Sequence, residues 1–190
     1  APIQRSIMNL DPETVISIMN IKKELDSGPV SNIYKIKIDQ NQNAQEISEK
    51  LSALAAEKIL DNVDDILEDK AKFIDQDHSK ATYAKKIDTE ESRSDWDEDA
   101  SKIIGKINGL FPSPGASFSF NGERYKILKA EIGNGIGQVG EIISNQLEVA
   151  CNKNQSIKIL EIQRQGKRPQ KISEFMLGSQ IKKGSKLSNV

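Results

Sequence analysis

In the stretch Phe118-Ser119-Phe120-Asn121-Gly122-Glu123-Arg124-Tyr125-Lys126-Ile127-Leu128-Lys129-Ala130, two runs rich in β-formers flank an Asn-Gly pair. Asn-Gly tolerates the positive φ values that a tight hairpin turn requires, so the stretch predicts two antiparallel strands. The same signals continue downstream. Ile142-Ile143 and Leu147 to Cys151 flank Asn145-Gln146, and Ile157 to Ile162 follows the polar turn at 152–156. Short strands separated by turn residues predict a small β-barrel from about residue 116 onward, closed by an amphipathic turn from Ile172 to Leu177 that ends at Gly178.

Upstream the periodicity changes. Thr14-Val-Ile-Ser-Ile-Met-Asn20 is β-branched and apolar, which predicts a buried strand. Tyr34, Ile36 and Ile38 alternate with Lys35 and Lys37, the pattern of a strand wet on one side, and the intervening Lys22 to Pro29 is a polar loop punctuated by Gly and Pro. Asn43-x-x-Glu46 has the form of a capping box, and Ile47, Leu51, Leu54, Ala55, Ile59, Val63, Ile66 and Leu67 continue from it at helical spacing. Residues 71–95 lack periodicity and predict a surface linker. After Trp96, the acidic Asp97, Glu98 and Asp99 precede Ile103, Ile104, Ile107 and Leu110, which predicts a short helix stopped by Gly109 and Phe111-Pro112-Ser113-Pro114-Gly115. No solenoid repeat is visible.

The chain has 190 residues, 36% hydrophobic and 29% charged, which is a globular composition, and 5% aromatic, which leaves its cores to aliphatic side chains. The net charge of -1 conceals an asymmetry: residues 105–190 carry 13 basic and 6 acidic side chains, a net of +7, against -8 in residues 1–104. No apolar run approaches the roughly 18 residues that span a bilayer, and no signal-peptide layout is present, so a cytoplasmic address without membrane contact is expected. Cys151 is the single cysteine, which excludes a disulfide framework within the chain and fits a reducing compartment. The chain opens on Ala1-Pro2-Ile3-Gln4, with no initiator Met, and is expected to be a piece of something longer.

Several residues invite a chemical reading. Gly135-Ile-Gly-Gln-Val-Gly140 matches G-x-G-x-x-G, but the residues from Glu141 to Val149 read as strand, turn and strand, with no helix to hold a phosphate, so a flexible barrel loop is expected. His78 lies in the linker without an orienting partner, and Cys151 shares a strand face with Leu147 and Val149, so neither predicts a nucleophile or metal ligand. Asp95, Asp97, Glu98 and Asp99 are explained as helix first-turn charges, and no metal site is expected. Arg124, Lys126, Lys129, Arg164, Lys167, Arg168 and Lys171 come from the hairpin and the Gln-Arg-Gln-Gly-Lys-Arg-Pro loop, and one basic barrel face formed by them would suit phosphate backbones. Asp26, in Glu-Leu-Asp-Ser-Gly-Pro, is by composition a turn former.

Across the whole chain, separated motifs carry a resemblance: Ala1-Pro-Ile-Gln-Arg-Ser-Ile7, Glu13-Thr14, Ser17-Ile-Met19, Leu25-Asp-Ser-Gly-Pro-Val30, Ala81-Thr-Tyr-Ala-Lys-Lys-Ile87, Asp95-Trp96, Pro112-Ser-Pro-Gly-Ala116, Lys126-Ile-Leu-Lys-Ala130, Val149-Ala-Cys151, Gln163-Arg-Gln-Gly-Lys167 and Glu174-Phe175. In these the sequence resembles the methionyl-tRNA formyltransferase family.

The resemblance implies a fold of α/β plus β type: a partial Rossmann-like formyltransferase domain over 1–70, a linker with a short helix over 71–115 and an OB-like tRNA-binding barrel over 116–190. It implies transfer of a formyl group from 10-formyltetrahydrofolate to the amino group of methionyl initiator tRNA, without a metal. Asp26 matches the family's catalytic Asp, which orients a His and assists proton transfer, and Glu24 and Leu25 beside it fall on the folate side. The catalytic Asn and His belong to a segment that precedes Ala1 in the family, so the missing N-terminal part of the enzyme is an expected partner and this chain alone is expected to be inactive. Lys85 and Lys86 join the barrel cations as expected tRNA contacts. Asn108 and Ser113 stand where the family has Arg and Trp, which removes whatever contacts those make. A monomer is expected for the complete enzyme. The alternatives are a non-catalytic tRNA-binding module and a sugar-amine N-formyltransferase.

Overall fold

The computed structural model describes residues 1–188. Its first element, α1 (Pro2–Met8), is a short helix that local sequence signals do not predict; Pro2 takes the first helical position, where its missing N–H costs nothing. β1 (Glu13–Met19) and β2 (Val30–Lys37) form an antiparallel pair with Thr14 opposite Ile36 and Ile16 opposite Tyr34. The expected buried strand at 14–20 is therefore corrected. It is a strand, but none of its residues is fully buried, because it has one strand neighbour and only one of its faces is covered.

The helix α2 (Ala44–Leu67) begins with the expected reciprocal cap. Asn43 Oδ1 accepts from the Glu46 N–H and Glu46 Oε2 from the Asn43 N–H, each at 3.0 Å. Ile47 and Leu51 pack with Ile7 and Ala44 into a small core bordered by Ile3, Ile16, Ile36 and Ile38. Beyond Leu51 the apolar stripe is only partly covered: Leu54, Val63 and Ile66 are half-buried, while Leu67 is 76% exposed and Leu60, off the stripe, 73%. Among the described residues this first part contains an antiparallel hairpin and helices; the parallel sheet of a Rossmann-like domain is not there.

The linker is irregular, with short 3₁₀ turns at His78–Lys80 and Glu90–Ser92. Near its start Val30 and Ile74 tie it to β2, exchanging backbone hydrogen bonds of 2.9 Å in both directions. Then comes α3 (Ala100–Leu110), whose Ile103, Ile104, Ile107 and Leu110 are buried as expected. Gly109 does not stop this helix. It lies within it, and with Gly105 makes the notch that receives α1: a Cβ on Gly109 would lie 2.9 Å from the Gln4 carbonyl oxygen, and one on Gly105 3.1 Å from that of Ile7. The segment Phe111-Pro112-Ser113-Pro114-Gly115 is what ends it. At the other end, Asp99 makes no side-chain cap; the Ala100 N–H donates instead to Gln155 Oε1 at 2.8 Å, across the sequence.

The remainder is one antiparallel sheet. β3 (Ser117–Phe120) and β4 (Glu123–Ile132) flank Asn121 and Gly122 at φ 50° and 78°, the left-handed pair that the Asn-Gly dipeptide predicts. With β5 (Glu148–Cys151), β6 (Gln155–Arg164) and β7 (Gln170–Lys171) the order is β3-β4-β6-β5, with β7 added on β6. The curled sheet wraps the main core, and its pairing does not close, so the expected barrel is a half-barrel. Ile142-Ile143, expected as a strand, contributes only the isolated bridge of Ile142 with Val149 beside that of Glu141 with Lys186. α4 (Ile172–Gly178) seats Phe175 at the end of an aromatic row running Trp96, Phe118, Tyr125, Phe175, with successive ring centroids 5.9, 5.3 and 5.8 Å apart. Among the described residues no helix is long and apolar enough to cross a membrane.

Candidate functional site

The loop between β1 and β2 carries Asp26. Its base is closed by the Asn20 N–H donating to the Pro29 carbonyl at 2.9 Å. Gly28 is obligatory there, because a Cβ would fall 1.7 Å from the Asn20 oxygen. Asp26 itself is left-handed at φ 53°, a region a short polar side chain tolerates. From the linker, Gln76 Nε2 donates to the carbonyls of Asp26 at 3.0 Å and Gly28 at 2.7 Å, so the main chain is held while the Asp26 side chain faces outward. Glu24 and Leu25 are exposed beside it, Leu25 by 92%. Among the described residues no hydrogen bond or ion pair reaches the Asp26 carboxylate. The loop presents a carboxylate and completes no catalytic set by itself.

Lys85 and Lys86 belong to a second arrangement, which the sequence did not reveal. Arg5 of α1 grips Glu91 with both terminal nitrogens, at 2.6 and 2.8 Å, and also donates to the carbonyls of Lys85 and Lys86, at 3.1 Å each. The hydrogen bond from Arg5, reinforced by the Asp88 N–H, draws the Glu91 carboxyl down to about 2. With its carbonyls turned to Arg5, this run leaves the lysine side chains exposed, next to Tyr83, which is 89% exposed. The partners are 86 residues apart, so no spacing signal could have linked them.

The basic residues of the half-barrel do not gather on one face. Cross-strand pairing sets Lys126 opposite Gln163, and Lys129 and Lys171 each opposite Glu161, which places all three on the outer face of the sheet. Arg124 lies half-buried at the linker junction, donating to Ser117 Oγ and Ser92 Oγ at 3.0 Å each. Arg164 pairs with Tyr125 and so turns to the inner side, at the open end of the sheet. There it joins Lys167 and Arg168 around a hollow of about 490 Å³ walled by Phe120, Tyr125 and Phe175. Glu123 accepts from the Tyr125 hydroxyl at 2.8 Å and pairs with Arg164, and these contacts lower its pKa; burial, then Glu123, pushes the Tyr125 phenol up to about 12.

The remaining candidates are structural. Cys151 is 1% exposed, and burial pushes its thiol up to about 12, which removes it as a nucleophile. His78 is exposed in its 3₁₀ turn. The glycine loop at 135–140 precedes no helix, as expected, but it is pinned rather than flexible: Glu148 Oε1 accepts from the N–H groups of Asn134 and Gly135 and from Ser156 Oγ, at 3.0, 2.8 and 2.7 Å. Burial alone would raise the Glu148 carboxyl; these donors outweigh it and hold its pKa below the usual value. Asn108 is buried and donates to the Gln40 carbonyl at 2.8 Å, a tie between α3 and the loop after β2, while Ser113 is exposed. Among the described residues no group of three His, Cys, Asp or Glu is placed to hold a metal ion.

Comparison with known proteins places these features. A family model described as formyl transferase, C-terminal domain, matches residues 86–180. The chain is 62% identical over its 190 residues to the methionyl-tRNA formyltransferase of Pelagibacter ubique (strain HTCC1062), covering 61% of that protein. It is 35% identical over 187 residues to the enzyme of that name from Brucella anthropi, again covering 61% of it and using 96% of this chain. The chain thus spans about three fifths of the length of these curated relatives. Among solved structures, HypX from Aquifex aeolicus in complex with tetrahydrofolic acid superposes with a TM-score of 0.71 at 14% identity, over 99% of this chain and 36% of that one. Methionyl-tRNA formyltransferase from Clostridium thermocellum gives 0.55 at 21% identity, over 71% and 58%. At these identities the superpositions speak for the fold.

Proposed function

Since the chain belongs to the formyl transferase family, whose C-terminal domain it carries over residues 86–180, we propose that it works as part of a methionyl-tRNA formyltransferase. The reaction moves a formyl group from 10-formyltetrahydrofolate to the amino group of methionyl initiator tRNA. The observation that carries this reading is the end-to-end match at 62% identity. In this reading residues 1–70 complete a Rossmann-like domain whose other strands, with the catalytic Asn and His, lie in a segment outside this chain. The exposed apolar residues of α2, β2 and the linker, such as Ile33, Leu67 and Ile74, fit an element that needs more neighbours than it has here.

The chemistry assigned to this chain is modest and specific. The methionyl amine attacks the formyl carbon, the bond from that carbon to the folate nitrogen breaks, and the amine loses one proton while the folate nitrogen gains one. Asp26, held by Gln76 through its main chain, supplies a carboxylate that orients the His and assists that proton movement. The exposed Glu24 and Leu25 offer the folate one polar and one apolar contact at the loop tip. Lys85, Lys86 and the half-barrel cations take the tRNA backbone, a role that makes binding fall steeply with salt. The complete enzyme is a cytoplasmic monomer in this reading, and the chain alone is inactive.

In the complete enzyme, Asp26→Ala is expected to lower formyl transfer by about 10²–10⁴-fold in a single-turnover assay, with tRNA affinity unchanged. Near-normal turnover would sink the assignment. Competition between methionyl initiator tRNA and a nucleotide-linked amino sugar identifies the acceptor: preference for the sugar would replace the tRNA reading with that of a sugar-amine enzyme.

A further inference from the structure

The hollow at the open end of the half-barrel has a composition different from the outer basic face. Two of its cations stand on a turn whose main chain is held by hydrogen bonds. Gly166 is left-handed at φ 71°, the Lys167 N–H donates to the Arg164 carbonyl at 3.0 Å, and Gln163 Nε2 donates to the Lys167 carbonyl at 2.8 Å. Arg164 is taken by Glu123, whereas Lys167 and Arg168 form no ion pair with any described residue and stay exposed. The same space is lined by the half-buried Phe120, by the 8% of Phe175 that the core leaves exposed, and by the amides of Asn121, Gln170 and Gln180. A volume of about 490 Å³ lies in the range of small-molecule sites and is far too small for a duplex. Free cations, amide donors and acceptors, and aromatic surface are together the groups that bind an unstacked base and its phosphate.

We propose that this hollow holds one unpaired nucleotide of the RNA, its base against Phe120 beside the edge of the core at Phe175 and its phosphate on Lys167 and Arg168. The proposal rests on the RNA-binding reading above. It divides labour within the half-barrel: the outer row of Lys126, Lys129 and Lys171 meets phosphate backbone of any kind, and the hollow selects RNA with a base available to be splayed out. Glu123 and Glu174 on the rim offset part of the positive charge, which favours a single phosphate over a polyphosphate.

The test compares the 190-residue chain with its Lys167→Ala/Arg168→Ala and Lys126→Ala/Lys129→Ala forms. Binding of an initiator methionine tRNA transcript and of a fully paired RNA duplex is read by fluorescence anisotropy, after thermal melts confirm that each variant folds. The hollow variant is expected to lose about tenfold in tRNA affinity and less than about threefold for the duplex. The outer-face variant should weaken both alike. Photo-cross-linking of tRNA carrying 5-bromouridine should label a peptide containing Phe120 or Phe175. Equal losses for tRNA and duplex in the hollow variant, or cross-links confined to other peptides, overturn the proposal and leave the RNA reading standing. If the unmodified chain binds neither RNA, the RNA reading falls and the proposal with it.

Discussion

Ile157, Ile159 and Ile162 on β6 are fully buried in the half-barrel core, together with the α3 isoleucines, the linker's Trp96 and Leu187. Along α2 the same kinds of side chain are at most half-covered after Leu51, and among the described residues that core buries only Ile7, Ala44, Ile47 and Leu51. Both regions obey their hydrophobic period; they differ in the number of neighbours. Burial is decided by how many surfaces meet an element, so one chain carries a large core and a small one with apolar surface left uncovered beside it. Stability must be unevenly distributed between them.

The widest gap is expected from truncating one side chain in each region. Ile159→Ala should cost about 2–5 kcal/mol through lost transfer energy and a residual cavity, whereas Leu60→Ala, on an exposed face, should stay within about 0.5 kcal/mol. Urea titration can read each region separately. Trp96, the single tryptophan, is fully buried in the half-barrel core, whereas α1 and α2 hold 31 of the 49 α-helical residues among those described and so most of the helical circular dichroism. The dichroism should fade at lower urea than the fluorescence shifts, and coincident transitions would show the two regions to be one cooperative unit.

A smaller effect probes the joint between them. Gly109→Ala gains helix propensity worth up to about 1 kcal/mol, but its Cβ would meet a backbone oxygen of α1, and overpacking of this kind costs about 1–3 kcal/mol. A net loss is expected, with faster amide exchange in α1 and little change in β4 or β6. Unchanged exchange in α1 would mean that the notch is not what docks it.

The smallest effect is set by pH. The Glu91 carboxyl titrates at about 2 in the folded chain, below an unfolded value near 4.5, so its bond with Arg5 contributes fully above pH 4.5 and is lost progressively as pH falls through 2. Both partners are partly exposed, which limits the contribution to roughly 1 kcal/mol or less. Glu91→Gln should lower the melting temperature at pH 6 and converge with the unmodified chain near pH 2; parallel curves would assign the loss to something other than this pair.

The elements with strong local chemistry were readable in the sequence. Asn43 and Glu46 announced α2, Asn121-Gly122 announced the β3–β4 hairpin, and Ile103 to Leu110 announced α3. What escaped depended on distant partners. The seven residues of α1 are too few to declare a helix locally and depend on the notch of Gly105 and Gly109 opposite. The strand at 14–20 has a buried strand's composition and lacks the second neighbour that would bury it. The glycine loop at 135–140 looked flexible because Glu148, which pins it, belongs to the next strand. Around the candidate site, the turn that carries Asp26 was readable, while the separation of Arg164, Lys167 and Arg168 from the outer lysines depends on strand register, which composition does not carry.

The hydrogen bond from the Ala100 N–H to Gln155 bears on the order in which the molecule can be made. α3 is complete at Leu110, when the amide that would quiet its first turn, 55 residues beyond Ala100, is still 45 residues from being added. Until the β5–β6 turn arrives, that end of the helix stays frayed, so the helix and the far turn must lock together late, as a single step in the chain's maturation.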